Sequence, residues 1–443
     1  MRRLLFIFSF LSLLVVDGKA QEVETLTLED CLRIGIDNNL SLEGKRKEIQ
    51  KSKYGVSENR SKLLPQINAI AGYNNNFDPP VSVTDGSSYG VPYNITKTLQ
   101  HSANAGLEMQ MPLFNQTLYT SMSIAKVMEE ISRLSYGKAR EDVILQISKM
   151  YYLGQVTAEQ IMLIKANITR LEELRDITQA FFDNGMSMEV DLKRVNINLE
   201  NLKVQYDNAQ AMMKQQLNML KYIMDYPAEK EIALTPVNTD SITTVALTGL
   251  SENIYELQLS QSQVQLAERQ KKIIANGYIP SLSLTGSWRY AAYTDKGYHW
   301  FHSGPSNQWF RSYGVGLTLR IPIFDGLDKT YKIKKAMIDI ENKRLAWEDA
   351  RKNLQTQYLN AVNDLMNNQR NFKKQKDNYL LAEDVYAVTS DRYREGIASM
   401  TEVLQDEMQM SEAQNNYISA HYNYRVTNLM LLKLTGQIES LVK

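Results

Sequence analysis

The sequence contains one junction twice, and each copy joins an alternating strand pattern to a very long helical pattern. The two junctions are Met111-Pro112-Leu113-Phe114-Asn115 and Ile321-Pro322-Ile323-Phe324-Asp325. Hydrophobic and polar residues alternate over the ten residues before each proline. Alternation of period two gives a strand one apolar and one polar face. We therefore predict that a two-faced strand leads into Pro112 and Pro322, and that Asn115 and Asp325 cap the helices that follow.

No proline interrupts the chain for a long distance after either junction. Between each junction and the next glycine turn, the stretches 115–182 and 325–393 contain no proline. A continuous helix of that length extends on the order of 100 Å, because a helix rises about 1.5 Å per residue. Hydrophobic residues recur at helical spacing and predict antiparallel, coiled-coil-like helix pairs. One such stripe is Ile124, Val127, Met128, Ile131 and Leu134.

Three landmarks recur in the same order, which indicates a tandem duplication. They are Pro65 and Pro280, Pro112 and Pro322, and Gly185 and Gly396, with spacings of 215, 210 and 211 residues. We predict a first repeat over 21–225 and a second over 252–443. Each repeat has the order helix, strand, loop, strand, long helix, turn, helix. The intervening segment 226–251 shows no helical period, so we expect an irregular linker beside the helices.

Each repeat supplies two strands of about ten residues. Alternation after Pro65 and after Pro280 predicts the additional strands. The Pro-, Gly- and Ser-rich segment 78–93, and the segment 293–308 in the second repeat, are expected to be loops. Thr27 followed by Asp30 predicts the capped start of a helix over 28–63.

The first twenty residues have the features of a secretory signal peptide. Two arginines precede an apolar stretch, and Gly18-Lys19-Ala20 forms a small-x-small cleavage site. No later stretch is long and apolar enough to span a membrane as a helix. The mature chain is therefore expected outside the cytoplasm, either soluble or inserted by strands. The only cysteine, Cys31, is interpreted as a buried helix residue rather than a nucleophile.

The composition excludes several classes of function. The chain carries 50 basic and 50 acidic residues, so it has no global field for binding nucleic acid. No phosphate-binding loop, zinc-protease motif or nucleophile elbow is present, and no cofactor is implied. His299 and His302 have a metal-like spacing, but they lie in a predicted loop without a partner motif, so we expect polar surface and no metal site.

The strand length suits a tilted crossing of a bilayer, and aromatic residues cluster near the loop ends as in an interfacial girdle. A soluble, half-buried sheet fits the strands alone equally well. The long helices favour the membrane interpretation, because no compact soluble domain needs four strands fused to helical hairpins of this length. A sheet in lipid must close, because an open edge leaves backbone groups unpaired. Four strands are too few, so two, three or four chains would have to combine. Glu108, Arg289 and Arg320 would then face a water-filled lumen.

These landmarks resemble those of the TolC-like outer membrane efflux protein family over essentially the whole mature chain. The matching residues are Pro65 and Pro280, the two Pro-Leu/Ile-Phe-Asn/Asp junctions, and the turns that contain Gly185 and Gly396. The resemblance implies a homotrimer with a 12-strand β-barrel in the outer membrane, continued by an α-helical barrel in the periplasm. It also implies an exit duct for drugs, proteins or other solutes in a tripartite efflux or type I secretion system. A periplasmic adaptor and an inner-membrane transporter would be its partners.

The resemblance also assigns roles to residues near the two turns. Gly185 and Gly396 would form the periplasmic tips that dock the adaptor, with Ser187 and Ser399 as caps of the returning helices. Asp191 and Glu402, together with Tyr393, would lie at the tunnel entrance. Symmetric copies of the two acids would form carboxylate rings that favour cations. Gln405 and Arg194 stand where relatives often carry a second acid, which weakens the case for a strongly cation-selective gate.

Two other classes of function compete with a channel. A periplasmic coiled-coil adaptor or scaffold would have one helical hairpin and β-domains rather than two equivalent hairpins with paired membrane strands. An extracellular enzyme on a coiled-coil frame would need catalytic motifs, and the sequence shows none.

Overall fold

A computed structural model of the protein describes residues 24–236, 249–295 and 309–442. The predicted signal peptide over 1–20 lies outside the described residues, and so do His299 and His302.

Long helices and short strands alternate along the chain. The helices are α1 (Leu28–Asn38), α2 (Leu40–Ser61), α3 (Gln116–Asp183), α4 (Glu189–Met224), α5 (Tyr255–Ala275), α6 (Asp328–Arg394) and α7 (Met400–Leu434). The strands are β1 (Glu24–Leu26), β2 (Gln66–Asn75), β3 (Val81–Asp85), β4 (Tyr93–Lys97), β5 (His101–Phe114), β6 (Ile232–Leu234), β7 (Ser281–Thr294) and β8 (Trp309–Arg320). No helix in the described ranges is both long and apolar enough to cross a membrane.

The two long helices form as predicted, with 68 residues in α3 and 67 in α6. The predicted first helix over 28–63 is wrong in one respect, because it is divided at Asn39. The Asn39 side chain donates to the Ile223 carbonyl (2.7 Å) and accepts from the Leu42 amide (3.0 Å). It therefore caps α2 and ties the break to α4. Thr27 and Asp30 form the predicted capping box of α1.

The four predicted strands form one antiparallel sheet in the order β2-β5-β7-β8. Leu107 lies opposite Trp288, and Trp288 lies opposite Tyr313. Glu108 lies opposite Ser287 in the adjacent register position. The register thus collects most of the apolar residues of the four strands on one face and most of the polar residues on the other.

The apolar face of this sheet is open in the single chain. Val315, Leu317 and Leu319 on β8 are 80%, 67% and 60% exposed. An apolar surface of this kind is covered in the working protein by lipid or by another chain. On the opposite face, Arg289 forms an ion pair with Glu108.

Two segments predicted as irregular contain strands. Within the predicted loop 78–93, β3 begins a hairpin that closes with β4, and Val83 pairs with Ile95. Within the predicted linker 226–251, β6 pairs in parallel with β1, and Ile232 lies opposite Glu24. These strands are only five and three residues long, so their alternation is too brief to separate from turn-rich sequence.

The chain divides into two compact units, and each draws on both halves of the sequence. The helical unit comprises Met1–Glu43, Lys138–Ile254 and Asn353–Lys443. The sheet unit comprises Gly44–Gly137 and Tyr255–Lys352. The helical unit has a hydrophobic core in which Leu171, Val195 and Val403 are fully buried.

The stripe predicted on the first part of α3 is only partly packed. Leu134 is buried and Ile124 is half-buried, but Met128 is 52% exposed. Cys31 is fully buried as predicted, and burial raises the pKa of its thiol to about 12. It is therefore not a thiolate near neutral pH.

Glu141 on α3 is a buried acid in the helical unit, with 4% of its surface exposed. Burial raises the pKa of its carboxyl to about 7, and the nearby Lys433 ammonium only partly opposes this. Because the folded-state pKa is raised, the neutral acid is favoured in the folded protein. The contribution of Glu141 to stability is therefore fully present below its ordinary pKa of 4.5 and is lost as the pH rises through about 7.

We predict that Glu141→Gln raises the melting temperature at pH about 8 and leaves it nearly unchanged at pH about 4.5, since the amide has no proton to lose. The difference in unfolding free energy at the higher pH is roughly 2–3 kcal/mol. Circular dichroism of detergent-solubilised protein at the two pH values measures it. Glu130→Gln, at an exposed position of the same helix, is the control, and an equal gain from both variants would contradict the prediction.

Candidate functional site at the helix-hairpin turns

The turns between α3 and α4 and between α6 and α7 have the same backbone geometry. Gly185 and Gly396 have φ angles of +69° and +74°, a region that side chains with a Cβ resist. Gly185 N–H donates to the Phe182 carbonyl (2.9 Å), and Met186 N–H donates to the Phe181 carbonyl (2.8 Å). The second turn repeats both bonds. Each long helix therefore ends in a Schellman motif.

The helix that leaves the second turn has a complete capping box. Ser399 Oγ accepts from the Glu402 amide (3.3 Å), and the Glu402 carboxylate accepts from the Ser399 amide (2.8 Å). These bonds favour the charged form and lower the pKa of the Glu402 carboxyl. Ser399 is thus the cap that the sequence predicts, and Glu402 is a partner in that cap.

The predicted cap at Ser187 is wrong. The N-cap of α4 is Met188, which has no side-chain oxygen and makes no capping bond. Met188 lies three residues after Gly185, just as Ser399 lies three residues after Gly396, whereas Ser187 lies one residue too early. The Ser187 hydroxyl is buried and has no hydrogen-bond partner among the described residues.

Asp191 takes the position in α4 that Glu402 takes in α7. With no capping serine before it, its carboxylate pairs with Arg194 at 3.3 Å. Arg194 also donates to the Thr401 hydroxyl (3.3 Å), which links α4 to α7. Both predicted entrance acids therefore have local partners in the single chain.

Tyr393, predicted at the tunnel entrance, lies in the packed interior of the helical unit. It is 6% exposed, and its hydroxyl donates to Thr178 Oγ1 (3.2 Å). Its ring packs on Phe181 with centroids 5.7 Å apart. In this chain Tyr393 joins α6 to α3.

Two ion pairs that the sequence did not predict also join these helices. Arg170 on α3 pairs with Glu383 on α6 at 2.6 Å, and Arg394 pairs with Glu173 at 3.5 Å. Ala387 and Ser390 help to line a 290 Å³ groove beside these pairs. The partners lie more than two hundred residues apart in sequence, so no local pattern signals them.

The two strand-helix junctions differ in detail. Asn115 is the predicted cap of α3, and its side chain accepts from the Thr117 amide (3.1 Å). Pro112 lies inside β5, next to a β-bulge, rather than after the strand. At the second junction Pro322 follows β8, and α6 begins three residues after Asp325.

Asp325 still accepts from the backbone of α6, through the Lys329 amide at 3.2 Å. The hydrogen bond that the Lys329 ammonium donates lowers the pKa of the Asp325 carboxyl, and the Lys329 charge acts in the same direction. Gly326 and Leu327 have positive φ angles and separate Asp325 from the helix. The predicted equivalence of Asn115 and Asp325 as N-caps is therefore correct for Asn115 and wrong in position for Asp325.

The part of the chain that the structure describes contains no group of three or more His, Cys, Asp or Glu side chains arranged to hold a metal ion.

The difference between the two caps gives a direct test. We predict that Met188→Ser completes a capping box with Asp191 and stabilises the start of α4 by about 1 kcal/mol, whereas Ser399→Ala destabilises α7 by about the same amount. Hydrogen exchange should slow about fivefold for the amides near Glu189 in the first variant. Met186→Ser, at an exposed position of the same turn, should leave exchange unchanged. Equal protection from both serines would contradict the assignment of the cap.

Comparison with known proteins places this architecture in a family. The family model described as outer membrane efflux protein matches residues 34–224 and 246–437. The outer membrane protein TolC of Vibrio cholerae is 21% identical over 399 residues, which cover 86% of this chain and 84% of TolC. The probable efflux pump outer membrane protein TtgC of Pseudomonas putida is 23% identical over 379 residues, covering 81% and 75% of the two chains.

Solved structures agree on the fold. CusC superposes with a TM-score of 0.76 at 15% identity, covering 92% of this chain and 91% of CusC. The outer membrane channel MtrE of Neisseria gonorrhoeae, in its open state, gives a TM-score of 0.73 at 19% identity, covering 92% and 88%. Together with the family match over both halves of the sequence, these similarities show that the chain belongs to the outer membrane efflux protein family.

Proposed function

We propose that this protein is an outer membrane channel through which drugs, small molecules or proteins leave the cell. It acts as the exit duct of a tripartite efflux or type I secretion system. One observation carries the proposal: a four-stranded sheet with one largely apolar face is joined directly to long helical hairpins. The relatives are named as outer membrane and efflux proteins, which supports the same location and activity.

The proposed assembly is a homotrimer. In one chain β2 and β8 are the edges of the sheet, and each has a pairing partner on one side only. Unpaired edges cannot remain in lipid, because their backbone N–H and C=O groups would have no hydrogen-bond partners. Pairing β8 of one chain with β2 of the next closes a barrel. Three chains give twelve strands, with the apolar face toward lipid and the polar face toward the lumen.

The helices continue this duct into the periplasm. The first repeat over 21–225 and the second over 252–443 each provide one long hairpin, and 226–251 lies between them. The turns at Gly185 and Gly396 are the proposed tips that dock a periplasmic adaptor, which connects the channel to an inner-membrane transporter. Asp191 and Glu402 lie within two turns of these tips and are the proposed entrance acids. Energy for transport comes from the transporter.

We predict that Leu317→Arg strongly reduces the amount of trimer in the outer membrane. A cation on the lipid face near the bilayer centre costs about 2–4 kcal/mol, and a trimer repeats it in every chain. Thr318→Arg places the same side chain on the polar face and should be far milder. Native mass measurement after detergent extraction gives the amount of trimer. Equal losses in the two variants, or a stable conducting monomer, would contradict the proposed placement.

We predict that Gly396→Asp abolishes export but leaves trimer abundance normal. A Cβ at Gly396 meets no atom within 4 Å, so the cost is the local strain of a positive φ angle, roughly 1–2 kcal/mol. A new charge at the tip would oppose adaptor docking directly. Resistance to a panel of drugs, in the native host lacking its chromosomal copy, measures export.

Gly396→Asn is the matched control, because Asn tolerates the same backbone geometry without adding a charge. It should retain more export than Gly396→Asp. Unchanged resistance with Gly396→Asp would contradict docking at this turn, and loss of the protein from the membrane would contradict the small structural cost.

A further inference from the structure

The chain as a whole has no net charge, but its two units carry net charges of opposite sign. The sheet unit has 25 Lys and Arg residues against 16 Asp and Glu residues. The helical unit has 25 against 34. The part of the protein that carries the sheet is therefore strongly basic. A basic region that borders a narrow, water-filled passage favours anions within it.

Few charged side chains lie on the polar face of the sheet. In the described strands of the order β2-β5-β7-β8 they are Glu108, Arg289 and Arg320, as the register shows. Glu108 and Arg289 form an ion pair and largely neutralise each other. Arg320 is exposed at the end of β8, opposite Ser281, and forms no ion pair with any described residue.

In the proposed barrel, the edge strand of the neighbouring chain provides no carboxylate that could pair with Arg320. The edge strand that would pair with β8 is β2, whose polar face carries no charged residue. Its residues on that face are Gln66, Asn68, Ile70, Gly72 and Asn74. This holds for every register between the two chains that preserves the two faces, because the same five residues of β2 then lie on the polar face.

Two acids at the adjoining helices, Glu58 and Asp325, already have partners. Glu58, near the end of α2, pairs with Lys62 at 3.3 Å. Asp325, before α6, pairs with Lys329 at 2.9 Å. Arg320 is therefore the one charge on the polar face of the described sheet that neither its own chain nor the edge strand of a second copy neutralises.

We propose that Arg320 makes the sheet end of the channel favour anionic solutes, such as those carrying a carboxylate, sulfonate or phosphate group. The inference rests on the proposed function, because it requires the polar face to line a passage. In a closed barrel each chain contributes one Arg320 at the same level. The resulting ring of positive charge attracts anions and repels cations along their path.

The local field can be measured with a cysteine reporter at Thr318. Thr318 lies on the same face two residues from Arg320, a separation of about 6–7 Å. The reagents are two methanethiosulfonates of similar size, one bearing a sulfonate and the other a trimethylammonium group. In both reactions the cysteine thiolate attacks the reagent's sulfenyl sulfur, forms a mixed disulfide and releases methanesulfinate. The native Cys31 is fully buried and contributes no background.

The measured quantity is the ratio of the two labelling rates in trimers reconstituted into liposomes. Any change in the reactivity of the thiol itself cancels in this ratio. For Thr318→Cys we expect the anionic reagent to react faster. Adding Arg320→Gln should lower the ratio about threefold or more, and raising the salt concentration should shrink the difference. Arg320→Lys should restore the ratio.

Arg311→Gln is the matched control. Arg311 is on the same strand but on the apolar face, where its guanidinium lies 5.9 Å from the Tyr313 ring centroid. Removing this charge should leave the ratio unchanged. A ratio unaffected by Arg320→Gln, or lowered equally by Arg311→Gln, would overturn the assignment to Arg320. If Leu317→Cys is labelled and Thr318→Cys is not, the faces are reversed, and both this inference and the proposed function are wrong.

Discussion

The pairing of β5 with β7 is the constraint on which the rest of the architecture depends. It joins a strand of the first repeat to a strand of the second, with Leu107 opposite Trp288 and Glu108 opposite Ser287. Because side chains alternate along a strand, a shift of one residue would turn Glu108 toward the apolar face and Leu107 toward the polar one. The outer strands β2 and β8 extend the same ladder, so the correct pairing of these two central strands determines both faces of the sheet.

The same pairing also places the helices of the sheet unit. Since α3 leaves β5 and α5 enters β7, adjacent strands put these helices side by side. The side chain of Asn276, the residue just after α5, donates to the Thr120 hydroxyl of α3 at 2.5 Å. Farther along α3, a Cβ at Gly137 would overlap the Tyr255 ring, so glycine permits the close approach there. One hydrogen bond and one close contact thus hold α3 beside α5, in the same order as the strands β5 and β7.

Much of this fold could be predicted from the sequence because its signals are long and local. Ten alternating residues before Pro112 and a predicted helix of nearly seventy residues after it, free of proline, leave few alternatives. The features that were missed depend on distant or very short pairings. The break at Asn39 is stabilised by the Ile223 carbonyl, and β1 pairs with β6 across two hundred residues of sequence. Neither contact leaves a periodic pattern along the chain.

The turns show a different limit of sequence reasoning. The glycine positions were predicted correctly, because a positive φ angle requires a particular residue. Residue type alone predicts Ser187 as the cap of the following helix, but the backbone places the N-cap one residue later, at Met188. The family resemblance implies that Tyr393 lies at the tunnel entrance, and in the single chain its buried hydroxyl donates to Thr178. Residue type identifies a candidate, and only the position along the turn decides its role.

The distribution of charge shows why a whole-chain property can mislead about a site. Equal numbers of acidic and basic residues exclude a strong field far from the molecule. At physiological ionic strength, however, charges interact over only about 8 Å, far less than the length of the helices. A solute therefore responds to the basic sheet unit or to the acidic helical unit, and not to their sum. The net charge of the whole chain therefore does not describe the electrostatic environment of either unit.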